Sequence, residues 1–130
     1  MFIKNVGIFV KDLEGAKRFF EEYFNAKVLK TFDNDKTNYH SYIMVLDEGA
    51  WLELMAKPET VDLPKDPNRL GYAHICIETS TRAQLDETIR RLKEAGYTFQ
   101  YEPSNPEGLG EARVNAFELP RVPVKISMRP

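Results

Sequence analysis

The sequence predicts an α+β domain made of two similar halves, and three observations support this prediction. Short alternating segments predict strands, two segments with apolar residues at spacings of three and four predict helices, and the order strand, helix, strands occurs twice. The chain of 130 residues has the length of one ordinary domain. We therefore expect a single domain at 1–130, with a first module at about 1–57, a linker at about 58–69 and a second module at about 70–130.

The first half begins with a strand at residues 3–10, whose apolar residues alternate with the others. The spacing then changes to that of an amphipathic helix, for which Asp12 is a suitable N-cap and Asn25 a suitable left-handed stop. Segments at 39–46 and 50–55 flank a short acidic turn that contains a glycine. They predict an antiparallel hairpin.

The second half repeats this order. A strand at residues 71–78 precedes a helix, which begins with a capping-box pattern from Thr81 to Gln84 and ends before Gly96. Further strands are predicted at 97–101, 114–119 and 124–128.

Composition argues against several classes of partner and location. Lys and Arg number 18 against 20 Asp and Glu, and the charges are interspersed, so we expect no nucleic acid partner. No apolar run approaches the roughly 20 residues that span a bilayer, so we expect no membrane partner. Residues 1–6 are strand-like and lack the pattern of a secretion signal, so we do not expect secretion, and the single cysteine, Cys76, forms no intrachain disulfide. A cytoplasmic location is therefore expected.

Strand alternation identifies Glu53 as a candidate functional residue. Leu52 and Leu54 are suited to packing against a helix, which leaves Trp51, Glu53 and Met55 on the other face of their strand. A carboxylate in such an apolar segment is costly to bury without a partner. The candidate partners are a metal ion and three side chains, those of His74, Lys125 and Arg129.

The same alternation in the second half places His74 and Cys76 opposite Ile75 and Ile77. In the last strand it places Lys125, Ser127 and Arg129 inward or at the rim of a cavity. A cationic rim suits an anionic ligand. Five aromatic residues are candidates to line the same cavity, namely Phe9, Tyr39, Tyr42, Trp51 and Tyr72.

Four segments resemble the vicinal oxygen chelate superfamily, which contains glyoxalase I, bleomycin-resistance proteins and extradiol dioxygenases. They are 3–13 (IKNVGIFVKDL), 49–55 (GAWLELM), 71–75 (GYAHI) and 92–97 (LKEAGY), and they are most similar to bacterial lactoylglutathione-lyase-like proteins. The resemblance implies two βαβββ modules, forming a cupped mixed sheet with the helices outside. It also implies a small-molecule site in the cup and a homodimer.

The resemblance also implies a metal site with up to four ligands. The corresponding positions hold Asn5, Glu53, His74 and Ser127, whereas metal-dependent members usually carry His or Gln, Glu, His and Glu there. Asn5 offers a weak amide oxygen and Ser127 a hydroxyl, so the expectation of a divalent ion (Zn, Ni, Mn or Fe) is weakened. No other cofactor is expected.

Two functions follow from the resemblance. The first is a lyase or isomerase of the glyoxalase type that acts on a small oxygenated substrate, with Glu53 and His74 as catalytic residues and as metal ligands with Asn5. The second is a metal-free protein that binds and sequesters a small molecule. In either case the substrate pocket is expected to contain Phe9, Tyr42, Trp51, Lys125, Ser127 and Arg129. The sequence leaves the role of His40 open, and a rim histidine is the favoured interpretation.

Overall fold

The computed structural model describes residues 1–63, 68, 70–101, 111–115 and 124–128. The chain divides into two compact units, Met1–Asp62 and Leu63–Pro130, which we call the first and second units and describe separately. Each unit contains one helix and a four-stranded sheet within the described residues. The predicted α+β class is confirmed. In the described part of the chain, neither helix has the length and apolar character needed to cross a membrane.

The first unit contains one helix and four strands. They are β1 (Asn5–Phe9), α1 (Leu13–Phe24), β2 (Lys27–Asn34), β3 (Tyr39–Val45) and β4 (Trp51–Ala56). The sheet order is β1-β4-β3-β2, with β1 parallel to β4 and the other pairs antiparallel. The predicted hairpin between β3 and β4 is confirmed.

The second unit repeats this topology. Its elements are β5 (Ile75–Thr79), α2 (Arg82–Glu94), β6 (Thr98–Tyr101), β7 (Glu111–Asn115) and β8 (Val124–Met128). The sheet order is β5-β8-β7-β6, and β5 is parallel to β8. The helix, strand β6 and strand β8 agree with the sequence predictions, whereas β7 begins three residues before the strand predicted at 114–119. Residues 116–119 of that prediction lie outside the described residues.

Local sequence sets the ends of both helices. The Asp12 side chain accepts a hydrogen bond from the Gly15 N–H at 2.9 Å, and Asn25 adopts a left-handed conformation with φ of 55°. In α2, the Thr81 hydroxyl accepts from the Gln84 N–H at 3.1 Å, and Gln84 Oε1 accepts from the Ser80 N–H at 2.9 Å. The predicted caps are therefore confirmed, with the Gln84 side chain reaching one residue further back than a capping box requires.

The core of the first unit lies between α1 and one face of its sheet. Helix α1 packs against β3 and β4. The buried contacts come from Phe19 and Phe20 on the helix and from Met44, Leu52 and Leu54 on the strands. The prediction that Leu52 and Leu54 point toward the helix is confirmed. In the second unit α2 packs against β5 and β8 in the same way, over the buried side chains Leu85, Ile89, Leu92, Val124 and Ile126.

Strand β2 is the element that the residue pattern did not predict. It forms one edge of the first sheet, and most of its residues are exposed, with Leu29 and Phe32 among them. A bulge between Val28 and Lys30 also shifts the alternation of its side chains. The segment has neither a buried face nor a regular alternation of side chains. Its sequence alone therefore does not predict a strand.

Candidate functional site

Glu53 lies at the centre of β4, on the face of the first sheet that points away from α1, which we call the helix-free face. Its strand neighbours Leu52 and Leu54 are buried on the opposite face. Glu53 is half-buried and pairs with Gly7 of β1 on one side and with Ile43 of β3 on the other. The carboxylate therefore lies in the middle of a sheet surface, as the alternation of β4 predicts.

Tyr39 is a partner of Glu53 that the residue pattern did not identify. Its hydroxyl donates a hydrogen bond to Glu53 Oε1 at 3.2 Å, from a position 14 residues away in sequence. The phenol is partly buried, and this burial, together with the charge of Glu53 and the hydrogen bond to it, raises the pKa of Tyr39 above 10.0. A neutral phenol therefore orients one carboxylate oxygen of Glu53.

Aromatic rings and lysines surround this pair on the helix-free face. Phe9 pairs in register with Met55, and the pairing continues through Ser41 to Phe32, so these four residues form one row across the sheet. Phe9 and Phe32 are 49% and 41% exposed. The predicted pocket residues Phe9 and Trp51 thus lie on the same face as Glu53.

Three ammonium groups lie over rings at or beside this face. Lys57 Nζ is 4.9 Å from the centroid of Phe9, Lys30 Nζ is 4.7 Å from that of Phe32, and Lys4 Nζ is 5.6 Å from that of Trp51. Contacts of this kind hold a cation beside an apolar surface. The rings therefore hold three ammonium groups at or beside the face that carries Glu53.

The position of Tyr42 contradicts the prediction that it lines the substrate pocket. It pairs in register with the buried Leu54, and its hydroxyl donates to Glu14 Oε1 of α1. It therefore lies on the helix side of the sheet, opposite Glu53. Both faces of β3 are apolar, because Ile43 and Met44 are both buried, so alternation in β3 did not reveal which side faces the helix.

The hydrogen bond to Glu14, followed by burial and the charge of the same carboxylate, raises the pKa of Tyr42 to about 12. A depression of about 350 Å³ lies beside this contact, between the start of α1 and the strands β2 and β3. His40 lines it, with Nδ1 2.6 Å from Asp33 Oδ1 and Nε2 3.0 Å from Asn38 Oδ1. Because both ring nitrogens contact the β2–β3 hairpin, His40 acts as a structural link within that hairpin.

In the second unit, His74 immediately precedes β5 and is half-buried. Cys76 and Ser127 share one face of the sheet, with Sγ and Oγ 3.5 Å apart. Lys125 pairs in register with Cys76 and is half-buried on that face. The alternation predicted for β8 is thus confirmed for Lys125 and Ser127, while Arg129 lies outside the described residues.

The donor set fits a divalent ion poorly. Within the described ranges, no group of three or more His, Cys, Asp or Glu side chains is arranged to hold a metal ion. Asn5 lies on the helix-free face of β1, two residues before the glycine that pairs with Glu53, and offers only an amide oxygen. Ser127 offers a hydroxyl that already contacts the Cys76 thiol. Strong donors therefore remain at two of the four implied positions, those of Glu53 and His74.

Comparison with protein families identifies the chain. A model of the Glyoxalase/Bleomycin resistance protein/Dioxygenase superfamily matches residues 2–114. The chain belongs to this superfamily. The family resemblance inferred from the sequence motifs is thereby confirmed, and the element order of each unit agrees with the βαβββ module that it implies.

Individual superfamily members are similar over most of the chain. A fosfomycin resistance protein, FosX of Listeria innocua, is 24% identical over 110 residues, which cover 85% of this chain and 77% of that protein. A glyoxalase/bleomycin resistance protein/dioxygenase domain from Frankia sp. superposes with a TM-score of 0.80 at 21% identity, covering 100% of this chain and 98% of that one.

A mutant of FosX from Listeria monocytogenes superposes with a TM-score of 0.73 at 17% identity, over 96% of this chain and 90% of that one. That structure contains Mn(II) and dihydroxypropylphosphonic acid. At these identities, structural similarity shows that the fold is shared but does not show a shared activity or ligand. The activity and ligand of this superfamily member are therefore to be argued from its own residues.

Proposed function

We propose that this chain binds a small oxygenated organic anion on the helix-free face of its first sheet, and that it does so without a metal ion. The observation that carries the proposal is the Glu53 carboxylate, held by the Tyr39 hydroxyl at 3.2 Å within a partly apolar surface. A carboxylate has two acceptor oxygens, so Glu53 can accept a hydrogen bond from a ligand hydroxyl while it holds the one from Tyr39. A hydroxyl-bearing ligand fits this acceptor.

The lysines supply the charge preference. Lys4, Lys30 and Lys57 lie over the rings of Trp51, Phe32 and Phe9, which belong to the same sheet face as Glu53, so we propose that these ammonium groups attract an anionic ligand to this face. An anionic group on the ligand gains attraction from these ammonium groups, while its hydroxyl meets Glu53. A 2-hydroxycarboxylate has this combination within a few bonds. The dihydroxypropylphosphonic acid bound to FosX, a small anion with hydroxyl groups, supports the same ligand class.

The test is an NMR titration of isotope-labelled protein with glycolate, lactate and 2-hydroxybutyrate. We expect saturable shifts of the backbone amide signals of Gly7 and Glu53 in the wild type. Glu53→Gln should weaken binding about tenfold, because it replaces the charged acceptor with an amide. Glu22→Gln, an exposed change of the same chemistry on α1, is the matched control and should leave binding unchanged.

Lys57→Gln tests the charge preference separately. It should weaken binding of the acids and reduce the dependence of their affinity on salt. Equal affinities of the wild type and Glu53→Gln, or shifts that fall only outside the helix-free face, contradict the proposed site.

A lyase or isomerase of the glyoxalase type is the second candidate, and the hydrogen bond between Tyr39 and Glu53 favours it. In this function Glu53 removes a proton from the carbon beside a substrate carbonyl, leaving an enediolate that is reprotonated. His74 of the second module, which corresponds to Asn5 of the first module, is proposed to assist. Incubation with hydroxyacetone in D₂O tests this candidate, because the wild type should exchange carbon-bound hydrogen for deuterium faster than Glu53→Gln and His74→Ala. Equal exchange rates contradict it.

A homodimer and a cytoplasmic location are also proposed. The homodimer rests on the family, and sedimentation equilibrium tests it by giving the mass of a monomer or of a dimer. The location rests on the single cysteine, Cys76, and fractionation of cells tests it.

A further inference from the structure

The side chain of Met55 occupies the space that a side chain at position 7 would fill. A Cβ added to Gly7 would lie 2.9 Å from the methyl carbon of Met55 and 3.6 Å from its sulfur. The shorter distance is less than any real Cβ contact, so a larger residue at position 7 requires Met55 to move. Gly7 also pairs in register with Glu53, and the occupied space therefore adjoins the carboxylate.

Met55 is suited to leaving this space. Its side chain is half-buried and unbranched, and the atom nearest to Gly7 is the terminal methyl group, which moves by simple rotation about three bonds. Rotation away from β1 opens a notch over Gly7 beside Glu53. The rest of the sheet need not change, because the backbone pairing of β1 with β4 does not involve the thioether.

We propose that Gly7 and Met55 form an adjustable apolar subsite that receives a short alkyl group of the ligand beside Glu53. The inference rests on the proposed function and deepens it, because it narrows the ligand class to 2-hydroxycarboxylates with a short alkyl side chain. The ligand hydroxyl donates to Glu53, and the ligand carboxylate is attracted to the lysines. The ligand alkyl group takes the place of the Met55 methyl group over Gly7.

The neighbouring residues limit the length of this group. Phe9 follows Gly7 on the same face of β1, and Asn5 and Trp51 form the adjacent pair on the other side. The notch is thus bounded at both ends along β1, and only the volume of a missing side chain is available. A methyl or ethyl group fits this space, whereas a longer or aromatic substituent does not.

The experiment uses protein labelled with ¹³C at the methionine methyl groups, titrated with glycolate, lactate and 2-hydroxybutyrate. The chain has four methionines, and Met44, fully buried on the opposite face of the same sheet, is an internal control. Lactate and 2-hydroxybutyrate should shift the Met55 signal while that of Met44 stays in place. Affinity should rise about fourfold for each added carbon, as expected for burial of one methylene.

Two variants change the notch in opposite directions. Gly7→Ala places a methyl group in the notch, and should therefore remove the increase in affinity from glycolate to lactate and 2-hydroxybutyrate. Met55→Ala leaves the notch permanently open, so the increase in affinity with chain length should extend to 2-hydroxyvalerate. An unchanged Met44 signal in each variant shows that the sheet is intact.

The outcomes separate the two proposals. If the three acids bind the wild type equally well and the Met55 signal does not move, the subsite is wrong and the proposed function stands. If Gly7→Ala retains the dependence on chain length, the subsite is also wrong. If none of the acids binds, the proposed function is contradicted and the subsite with it.

Discussion

The Tyr39 hydroxyl donates to Glu53 Oε1 at 3.2 Å, although Tyr39 begins β3 and Glu53 lies in the middle of β4. The tyrosine ring therefore extends along the helix-free face toward the carboxylate. This contact connects the hairpin to the proposed binding group. It makes Tyr39 a positioning residue for Glu53.

Tyr39→Phe should lower the free energy of unfolding by about 0.5–1.5 kcal/mol, because it removes one hydrogen bond to a carboxylate that is only partly buried. Urea unfolding measures this change. A double-mutant cycle with Glu53→Ala, which removes the acceptor, should give a coupling energy of similar size. Tyr72→Phe, at an exposed tyrosine of the second unit, is the control. Full additivity of the two changes contradicts a direct interaction.

Leu54 and Glu53 are adjacent in β4 but lie on opposite faces, so substitution of Leu54 should mainly affect stability and substitution of Glu53 should mainly affect binding. Leu54 is fully buried against α1, so Leu54→Ala should cost about 2–5 kcal/mol of stability with little direct effect on the ligand face. Glu53→Gln should change stability by less than about 1 kcal/mol and weaken binding of lactate. Denaturant unfolding and NMR titration give the two measurements. A larger loss of stability for Glu53→Gln contradicts the assignment of faces.

Tyr42 should make stability depend on pH in the alkaline range. Folding raises the pKa of its phenol from 10.0 to about 12, chiefly through the hydrogen bond to Glu14, and so favours the neutral form. The resulting stabilisation is complete below pH 10 and is lost as the pH rises through about 12. The difference in unfolding free energy between the wild type and Tyr42→Phe should therefore shrink across this window. A constant difference contradicts the pairing.

The start of α2 should be sensitive to its cap. Thr81→Ala removes the acceptor of the Gln84 N–H and should lower the unfolding free energy by about 1 kcal/mol, whereas Thr81→Ser retains the hydroxyl and should have little effect. Thermal unfolding of the two variants provides the comparison. Equal melting temperatures for Ala and Ser would show that the hydroxyl contributes nothing at this position.

The sequence by itself determined the elements whose signals are local. The caps at Asp12, Asn25 and Thr81 act within five residues of their partners, so neighbouring residues in the sequence are enough to predict them. The burial of Leu52 and Leu54 follows from simple alternation. The family resemblance came from the same short segments.

Only the tertiary structure decided features that depend on residues distant in sequence. Strand β2 is an exposed edge with a bulge, and it is defined by its pairing with β3 rather than by its own pattern. Both faces of β3 are apolar, so alternation along β3 does not show which face packs against α1. The register with β4 decides this, because it places Tyr42 beside the buried Leu54. Tyr39 meets Glu53 and Met55 covers Gly7 for the same reason: strand pairing brings side chains together across the sheet, and the spacing of residues along the chain does not encode such contacts.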